Sequence, residues 1–299
     1  MSALPEIRDL VLRHAGRPTP AGVVLHRSDV PTEPMPSQSV PIFVLVAQGA
    51  KHAVLGERIF SYGAGQFLVA SMELPVISHV SQATPAEPYL VLGLALRPPL
   101  IAELLLEAPP PARGEPAPGI AVSTAGDELL DAVVRLMRLL DRPDDQRVLW
   151  AGVERELVWR LLTGEQHGTV RQIGLGDANV AQIGRAIRWI RDHHADLFRI
   201  EDVARVAGMS VTSLHRHFRA ITTMTPIQFQ KLIRLQEARA RLLAEPGDVA
   251  AVGLAVGYES ASQFSREYRR LFGLPPGQDA ARLSRIDPAQ IDPAQLAGV

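Results

Sequence analysis

Between Val23 and Leu96 the apolar residues fall in short, β-branched runs broken by turn residues: "GVVLHR", "PIFVLVAQG", "KHAVLGERIFSYGAG", "QFLVAS", "PVISHVS" and "YLVLGLAL". Such runs predict strands. Strand following strand without an intervening helical pattern predicts antiparallel hairpins folded into a small barrel or sandwich, whose inward positions could line a cavity. The period then changes. "RPPLIAELLLEAPPPARGEPAPG" predicts one short helix and a Pro-rich loop, and helical apolar spacing runs over 127–141 and 146–163. "EQHGTVRQIGLGDAN" is polar and Gly-rich and reads as a linker, a helical region extends from about Val180 to Arg282, and "IDPAQIDPAQLAGV" reads as a disordered tail, 286–299. The expected class is therefore α+β: an N-terminal antiparallel β-barrel at 18–107 with a helical pair at 124–165, making a domain of 18–170, then an all-α domain at 180–285.

The helical region repeats itself. "VARVAGMSVTSLHRHF" (203–218) matches "VGLAVGYESASQFSREY" (252–268), with Val203 on Val252, Ala204 on Gly253, Ala207 on Val256 and Gly208 on Gly257. One extra residue in the second turn then places Leu214 on Phe264 and Phe218 on Tyr268. Each copy has the form of a helix, a turn and a helix: a small residue at Ala204 or Gly253 permits a close crossing, and Gly208 or Gly257 accepts the positive φ of a sharp turn. These four positions are structural whatever the protein does. In a helix-turn-helix the second helix is the one presented to the DNA major groove, here "TSLHRHFR" and "ASQFSREYRR". Between the copies "TPIQFQKLIRLQEARARLL" begins with a capping box, Thr225 and Gln228 around Pro226, and carries Leu232, Leu235, Ala238 and Leu242 on one face. A long connecting helix is expected, rigid enough to set two reading heads into successive grooves.

Charge agrees with this division. The 299 residues sum to a net charge of -1, but Lys plus Arg against Asp plus Glu number 15 and 20 in 1–179, 16 and 10 in 180–285, and 0 and 2 in 286–299. The middle segment is thus net +6, and all but one of its cations are Arg, the side chain suited to bidentate contact with phosphate or guanine. Charge alone is equally satisfied by a solvated face. Hydrophobic content of 46% and charged content of 21% are those of an ordinary globular protein. No apolar run nears the roughly 18 residues of a membrane span, so no membrane partner and a cytoplasmic location are expected. The chain has no cysteine, which excludes disulfides, thiolate metal sites and cysteine nucleophiles.

Residues 185–277, through "VARVAGMSVTSLHRHFR", "TPIQFQKLIRLQEARARLL" and "VGYESASQFSREYRRLFGLPP", resemble the DNA-binding domain of the AraC/XylS transcription regulators. The stretch from "GVVLHR" to "LIAELLLE" resembles the cupin-like sensor of one branch of that family. The resemblance implies a sequence-specific regulator of double-stranded DNA, an activator recruiting RNA polymerase, a small-molecule effector in the N-terminal barrel, and a homodimer supported by the helical pair. By position it places base contacts on Thr212, His215 and Arg216 in the first motif and on Ser262, Gln263 and Arg266 in the second, with Arg219, Arg269 and Arg270 on phosphates. The chemistry is suitable, since Arg pairs with guanine, Gln with adenine, and Ser or Thr with either. One departure stands out: after the Pro pair the family carries an aromatic residue and Arg, where this chain has Asp279 and Ala280.

The rival is a cupin-type metal-dependent enzyme, an oxygenase or isomerase, carrying a DNA-binding tail. Cupin enzymes hold a metal with a His-x-His pair, a Glu and a later His. Here "GAKHAVLGE" supplies His52 alone, with Glu57 after it and His79 on a later strand, so one imidazole is missing and neither a metal nor another cofactor is expected. No catalytic constellation assembles with any specificity. Phe43, Phe67, Met72 and Tyr89, with His52 or His79 as polar handle, make the candidate effector pocket; the same apolar residues would serve equally as plain core.

Overall fold

A computed structural model describes residues 3–109, 117–174, 178–244 and 248–285. The chain forms two units, the second beginning at Ala178. The first unit runs α1 (Ala3–His14), β1 (Val23–Ser28), β2 (Met35–Gln38), β3 (Ile42–Gln48), β4 (Ala50–Leu55), β5 (Arg58–Gly63), β6 (Gln66–Ala70), β7 (Pro75–Gln82), β8 (Tyr89–Ala95), α2 (Pro98–Leu105), β9 (Ile120–Thr124), α3 (Asp127–Arg138), α4 (Pro143–Thr163) and α5 (His167–Gly174). All strand pairs are antiparallel, in a five-stranded sheet ordered β1-β8-β3-β6-β9 and a four-stranded sheet ordered β2-β7-β4-β5.

Strand alternation decides what faces what. In β4, Lys51, Ala53 and Leu55 are buried and His52 and Val54 are only half-buried, so the first set points between the sheets and the second away from them. In β3, Ile42 to Ala47 are all buried, because its outer face is covered as well. Phe43, Leu45, Phe67 and Val69 join Ile7, Leu10 and Val11 of α1 and Leu129, Val133 and Leu157 of α3 and α4 in one apolar cluster. Two elements differ from the sequence expectation here. The charged N-terminal stretch is a helix, since Ile7, Leu10, Val11 and His14 share one buried face and the charges occupy the other, with Glu6 accepting two hydrogen bonds from Arg138 at 2.6 and 2.8 Å. The expected linker contains α5, whose Gly174 comes so close to α2 that an added Cβ would stand 2.4 Å from Ile101 Cγ2. β2 and β9 were also not marked by the apolar pattern. The Pro-rich loop lies largely, and the tail 286–299 wholly, outside the described residues.

The second unit is all helix: α6 (Ala178–Asp192), α7 (Ile200–Ala207), α8 (Val211–Thr222), α9 (Pro226–Ala244), α10 (Val249–Ala255), α11 (Ala261–Phe272) and α12 (Pro276–Leu283). The repeat is two helix-turn-helix motifs, α7–α8 and α10–α11, and α9 connects them. Gly208 and Gly257 turn with φ of +71° and +92°. A Cβ on Gly253 would meet the Phe264 ring at 2.9 Å, which is why that crossing requires glycine. At the start of α9, Thr225 N donates to Gln228 Oε1 (2.8 Å) and Gln228 N to Thr225 Oγ1 (3.2 Å), while Leu232, Leu235, Ala238 and Leu242 are buried. Each turn is also capped from outside its motif. Arg185 of α6 donates to Ala207 O (2.8 Å) in the first; Arg234 of α9 donates to Gly257 O (2.7 Å) in the second and to the carbonyls of His194 (2.6 Å) and Asp196 (3.0 Å).

The departure at Asp279 has a definite structural outcome. Its side chain is fully buried, accepting from Arg239 Nε (2.8 Å), Tyr268 Oη (2.9 Å) and Arg282 (3.3 Å), so that α12 is tied to α9 by an ion pair and to α11 by a hydrogen bond in the helical core. Burial, followed by the charge of Asp279, holds the Tyr268 hydroxyl protonated well above the usual tyrosine range.

Candidate nucleic-acid interface

Both second helices start on a serine cap. Ser210 Oγ accepts from Ser213 N (3.2 Å) and Ser260 Oγ from Gln263 N (3.4 Å), which satisfies a first-turn amide and orients each helix. Leu214 and Phe218 in α8, and Phe264 and Tyr268 in α11, are buried against their motifs. Helical periodicity then turns Thr212, His215, Arg216 and Arg219, and equally Ser262, Arg266, Arg269 and Arg270, to solvent. Gln263 is set apart from these eight: it is half-buried, and its Nε2 donates to Glu267 Oε1 at 3.2 Å.

Pairing separates these cations from others of the unit. Arg205, Lys231, Arg239, Arg241 and Arg282 each lie within 4.0 Å of a carboxylate. Among the described residues, Arg219, Arg266, Arg269 and Arg270 have no such partner. Arg216 donates to the ring Nε2 of its neighbour His217 at 3.1 Å, which keeps that nitrogen an acceptor. Beneath α11, Glu267 gathers three donors: Lys231 Nζ (2.8 Å), Tyr258 Oη (2.9 Å) and Gln263 Nε2. Burial raises the Glu267 pKa, but these hydrogen bonds outweigh it and the net shift is downward, so Glu267 remains a carboxylate. Burial and the Glu267 hydrogen bond move the Tyr258 hydroxyl the other way, well above its usual range. This hub was not legible as a site, because Glu267 looks like a routine solvated helix residue until Lys231 and Tyr258 are brought to it.

The structure does not assemble the candidate effector pocket. Phe43 and Phe67, 5.5 Å apart between ring centroids, lie on the helix-covered face of the five-stranded sheet as core. His52 and His79 are register partners with edge-on rings at 5.2 Å, but both sit on the outer face of the four-stranded sheet. Burial and the neighbouring His52 lower the pKa of His79. Tyr89 is on the inner face of β8, and Met72 lies in the loop after β6, its carbonyl accepting from Ser39 Oγ at 2.8 Å. The inner cavity is lined instead by Ser37, Val44, Lys51, Tyr62, Leu68 and Ser78 and has a volume of about 30 Å³, the space of one water molecule. A larger cleft of about 340 Å³ opens where β9 meets α3 and the end of α4, floored by Phe67, Leu129 and Leu161. Among the described residues no three His, Asp or Glu side chains come together as a metal site, and Glu57 lies in the β4–β5 turn.

A family model for the AraC-type transcriptional regulator N-terminus matches residues 20–169, and one for a helix-turn-helix domain matches 203–282. The chain belongs to the AraC-type transcriptional regulators. Relatives in this family include the HTH-type transcriptional activator RhaS of Escherichia fergusonii, 31% identical over 112 residues, which are 36% of this chain and 40% of that one. The HTH-type transcriptional regulator MtrA of Neisseria gonorrhoeae is 31% identical over 97 residues, 32% of each chain. The matched part of this chain thus spans well under two thirds of either AraC-type relative. Among solved structures, ToxT from Vibrio cholerae aligns over 88% of this chain and 98% of its own with 9% identity and a TM-score of 0.47. No helix among the described residues is long and apolar enough to cross a membrane.

Proposed function

We propose that this AraC-type chain is a sequence-specific regulator of double-stranded DNA that activates transcription in response to a small-molecule effector. The observation that carries the reading is the set of exposed Arg side chains on α8 and α11 without carboxylate partners among the described residues, on the face opposite each helix's buried residues. Such a face suits an anionic duplex: Arg219, Arg269 and Arg270 hold phosphates while Thr212, His215, Arg216, Ser262, Gln263 and Arg266 address base edges. Activation is supported by the name of the RhaS relatives, and contact with RNA polymerase is the route assigned to it here. The chain acts as a homodimer through α3 and α4, with the effector held in the N-terminal unit. The 340 Å³ cleft is the better place for it, being within the usual range of ligand pockets, whereas the inner cavity is an order of magnitude too small.

The test is titration of the whole chain against duplex DNA at several salt concentrations. Several Arg–phosphate contacts release condensed counterions, so affinity is expected to fall steeply and log-linearly with salt. A flat response removes the electrostatic basis of the proposal.

A further inference from the structure

Gln263 and Glu267 are one turn apart on α11, and their contact constrains which base Gln263 can read. A free glutamine amide offers a carbonyl and an amino group of nearly equal shape, and it can present either to a base edge by turning over. Here it cannot turn over freely. Glu267 is a carboxylate, able only to accept, so the atom of Gln263 facing it at 3.2 Å must be the amide nitrogen. The carboxylate is itself immobilised, with Lys231 Nζ on Oε1 at 2.8 Å and the Tyr258 hydroxyl on Oε2 at 2.9 Å, donors from α9 and from the motif's turn. With the nitrogen held by Glu267, the oxygen Oε1 of Gln263 takes no hydrogen bond among the described residues and is left to accept from a ligand.

We infer that Glu267 is a specificity-determining positioning residue, which fixes Gln263 as a hydrogen-bond acceptor toward the major groove and so selects a base carrying an exocyclic amino group. Adenine N6 and cytosine N4 donate in that groove and satisfy Oε1. Guanine O6 and thymine O4 are acceptors and would face it oxygen to oxygen. The first motif has no such device, since the helix α8 carries no carboxylate at all. The inference rests on the proposed reading of DNA by α11 and adds the sense of one contact to it.

The experiment is selection of binding sites from a randomised duplex by the full-length protein and its variants, with sequences read out position by position. For the unaltered chain, one position in the half-site of the second motif is expected to be enriched in adenine or cytosine on the strand facing α11. Gln263→Ala should erase that enrichment. Glu267→Gln combined with Lys231→Met, in which no cation holds the new amide's oxygen toward Gln263, should let Gln263 turn over and cut the discrimination about tenfold while leaving the other positions unchanged. Lys231→Met and Tyr258→Phe also loosen the hub, but they leave a carboxylate beside Gln263, and the enrichment should survive in both. That contrast separates orientation of the amide from general destabilisation of α11. Enrichment of guanine or thymine at the position, or retention of the adenine and cytosine preference in the Lys231→Met, Glu267→Gln double variant, overturns the inference. Arg266→Ala run in the same selection is the control for the underlying reading: if it too changes no position, α11 does not face the bases at all.

Discussion

Aligning the two helix-turn-helix motifs position by position, from Arg185 on Arg234 through Gly208 on Gly257 to Phe218 on Tyr268 and Phe229 on Asp279, exposes two ways of holding one shape. In the first motif Phe218 stands edge-on to Phe229, with ring centroids 5.4 Å apart. At the matching place in the second, Tyr268 donates to Asp279, which is ion-paired with Arg239. Ring packing is insensitive to charge and forgiving of small shifts. A buried carboxylate is neither, because losing one partner leaves the other desolvated and uncompensated. The turns differ in the same sense. A Cβ on Gly208 would make ordinary contact at 3.6 Å with the Arg185 and Gln182 side chains, whereas one on Gly257 would meet Ala195 O at 2.3 Å and the Arg234 guanidinium at 2.8 Å. The second reading head thus adds a buried ion pair and a tightly walled turn to its ring contacts, whereas the first relies on its ring pair and on a looser turn capped by Arg185.

The largest effect should come from the buried ion pair. Asp279→Ala is expected to cost about 3–5 kcal/mol in urea unfolding, whereas Arg239→Met, Tyr268→Phe and Asp279→Phe together, which rebuild the first motif's ring pair, should recover most of that loss. A triple variant no better than Asp279→Ala breaks the comparison. Next, Gly257→Ala should destabilise by about 2–4 kcal/mol, through the carbonyl clash as well as its backbone conformation, and Gly208→Ala by only about 1 kcal/mol. Equal losses in thermal melts would mean that the two turns are equivalent after all.

Smaller effects sharpen the contrast at the surface. Arg266→Ala should weaken the preferred site by about 1–3 kcal/mol and relax one base pair of its half-site, while Arg270→Ala should weaken all sequences alike. Competition binding with single-base variants distinguishes the two, and identical profiles would remove Arg266 from base reading. The smallest change expected is a gain. α8 ends on Thr223 at φ +66°, a β-branched residue in the left-handed region where α11 ends on Gly273. Thr223→Gly should raise the melting temperature, relief of strain exceeding the added chain entropy by about 0.5–1 kcal/mol.

Much of this was legible in the chain. The strands from Val23 to Ala95, the α3 and α4 pair, the capping box at Thr225 and both motifs follow from local periodicity, turn residues and an internal repeat. α1 is equally present in the spacing of Ile7, Leu10, Val11 and His14, but the charges scattered through the stretch obscure its apolar face. The five short residues of β9 and the four of β2, with Pro36 among them, carry too little pattern to be marked. α5 is not visible in a Gly-rich stretch: it packs on α2, where Gly174 approaches Ile101 too closely for a Cβ, a contact that exists only once α2 is beside it. The candidate effector residues are dispersed on the same ground. That Phe43, Tyr89 and His79 lie on strands is a local property, but which side of which sheet they face depends on register.

What the sequence determined by itself is therefore the set of interactions closed within a few residues of one another: helix and strand periods, caps, the positive-φ turns, and the outward face of α8 and α11. The tertiary structure alone decided which polar and charged groups of different elements are paired. Arg239 with Asp279, Lys231 and Tyr258 with Glu267, and Arg234 with the carbonyl of Gly257 each join segments whose separation along the chain carries no information about their separation in space. The physical reason is that backbone geometry is governed by neighbours, and so it leaves a periodic trace. A buried charge is governed by desolvation, and its partner can be any donor or acceptor that packing delivers.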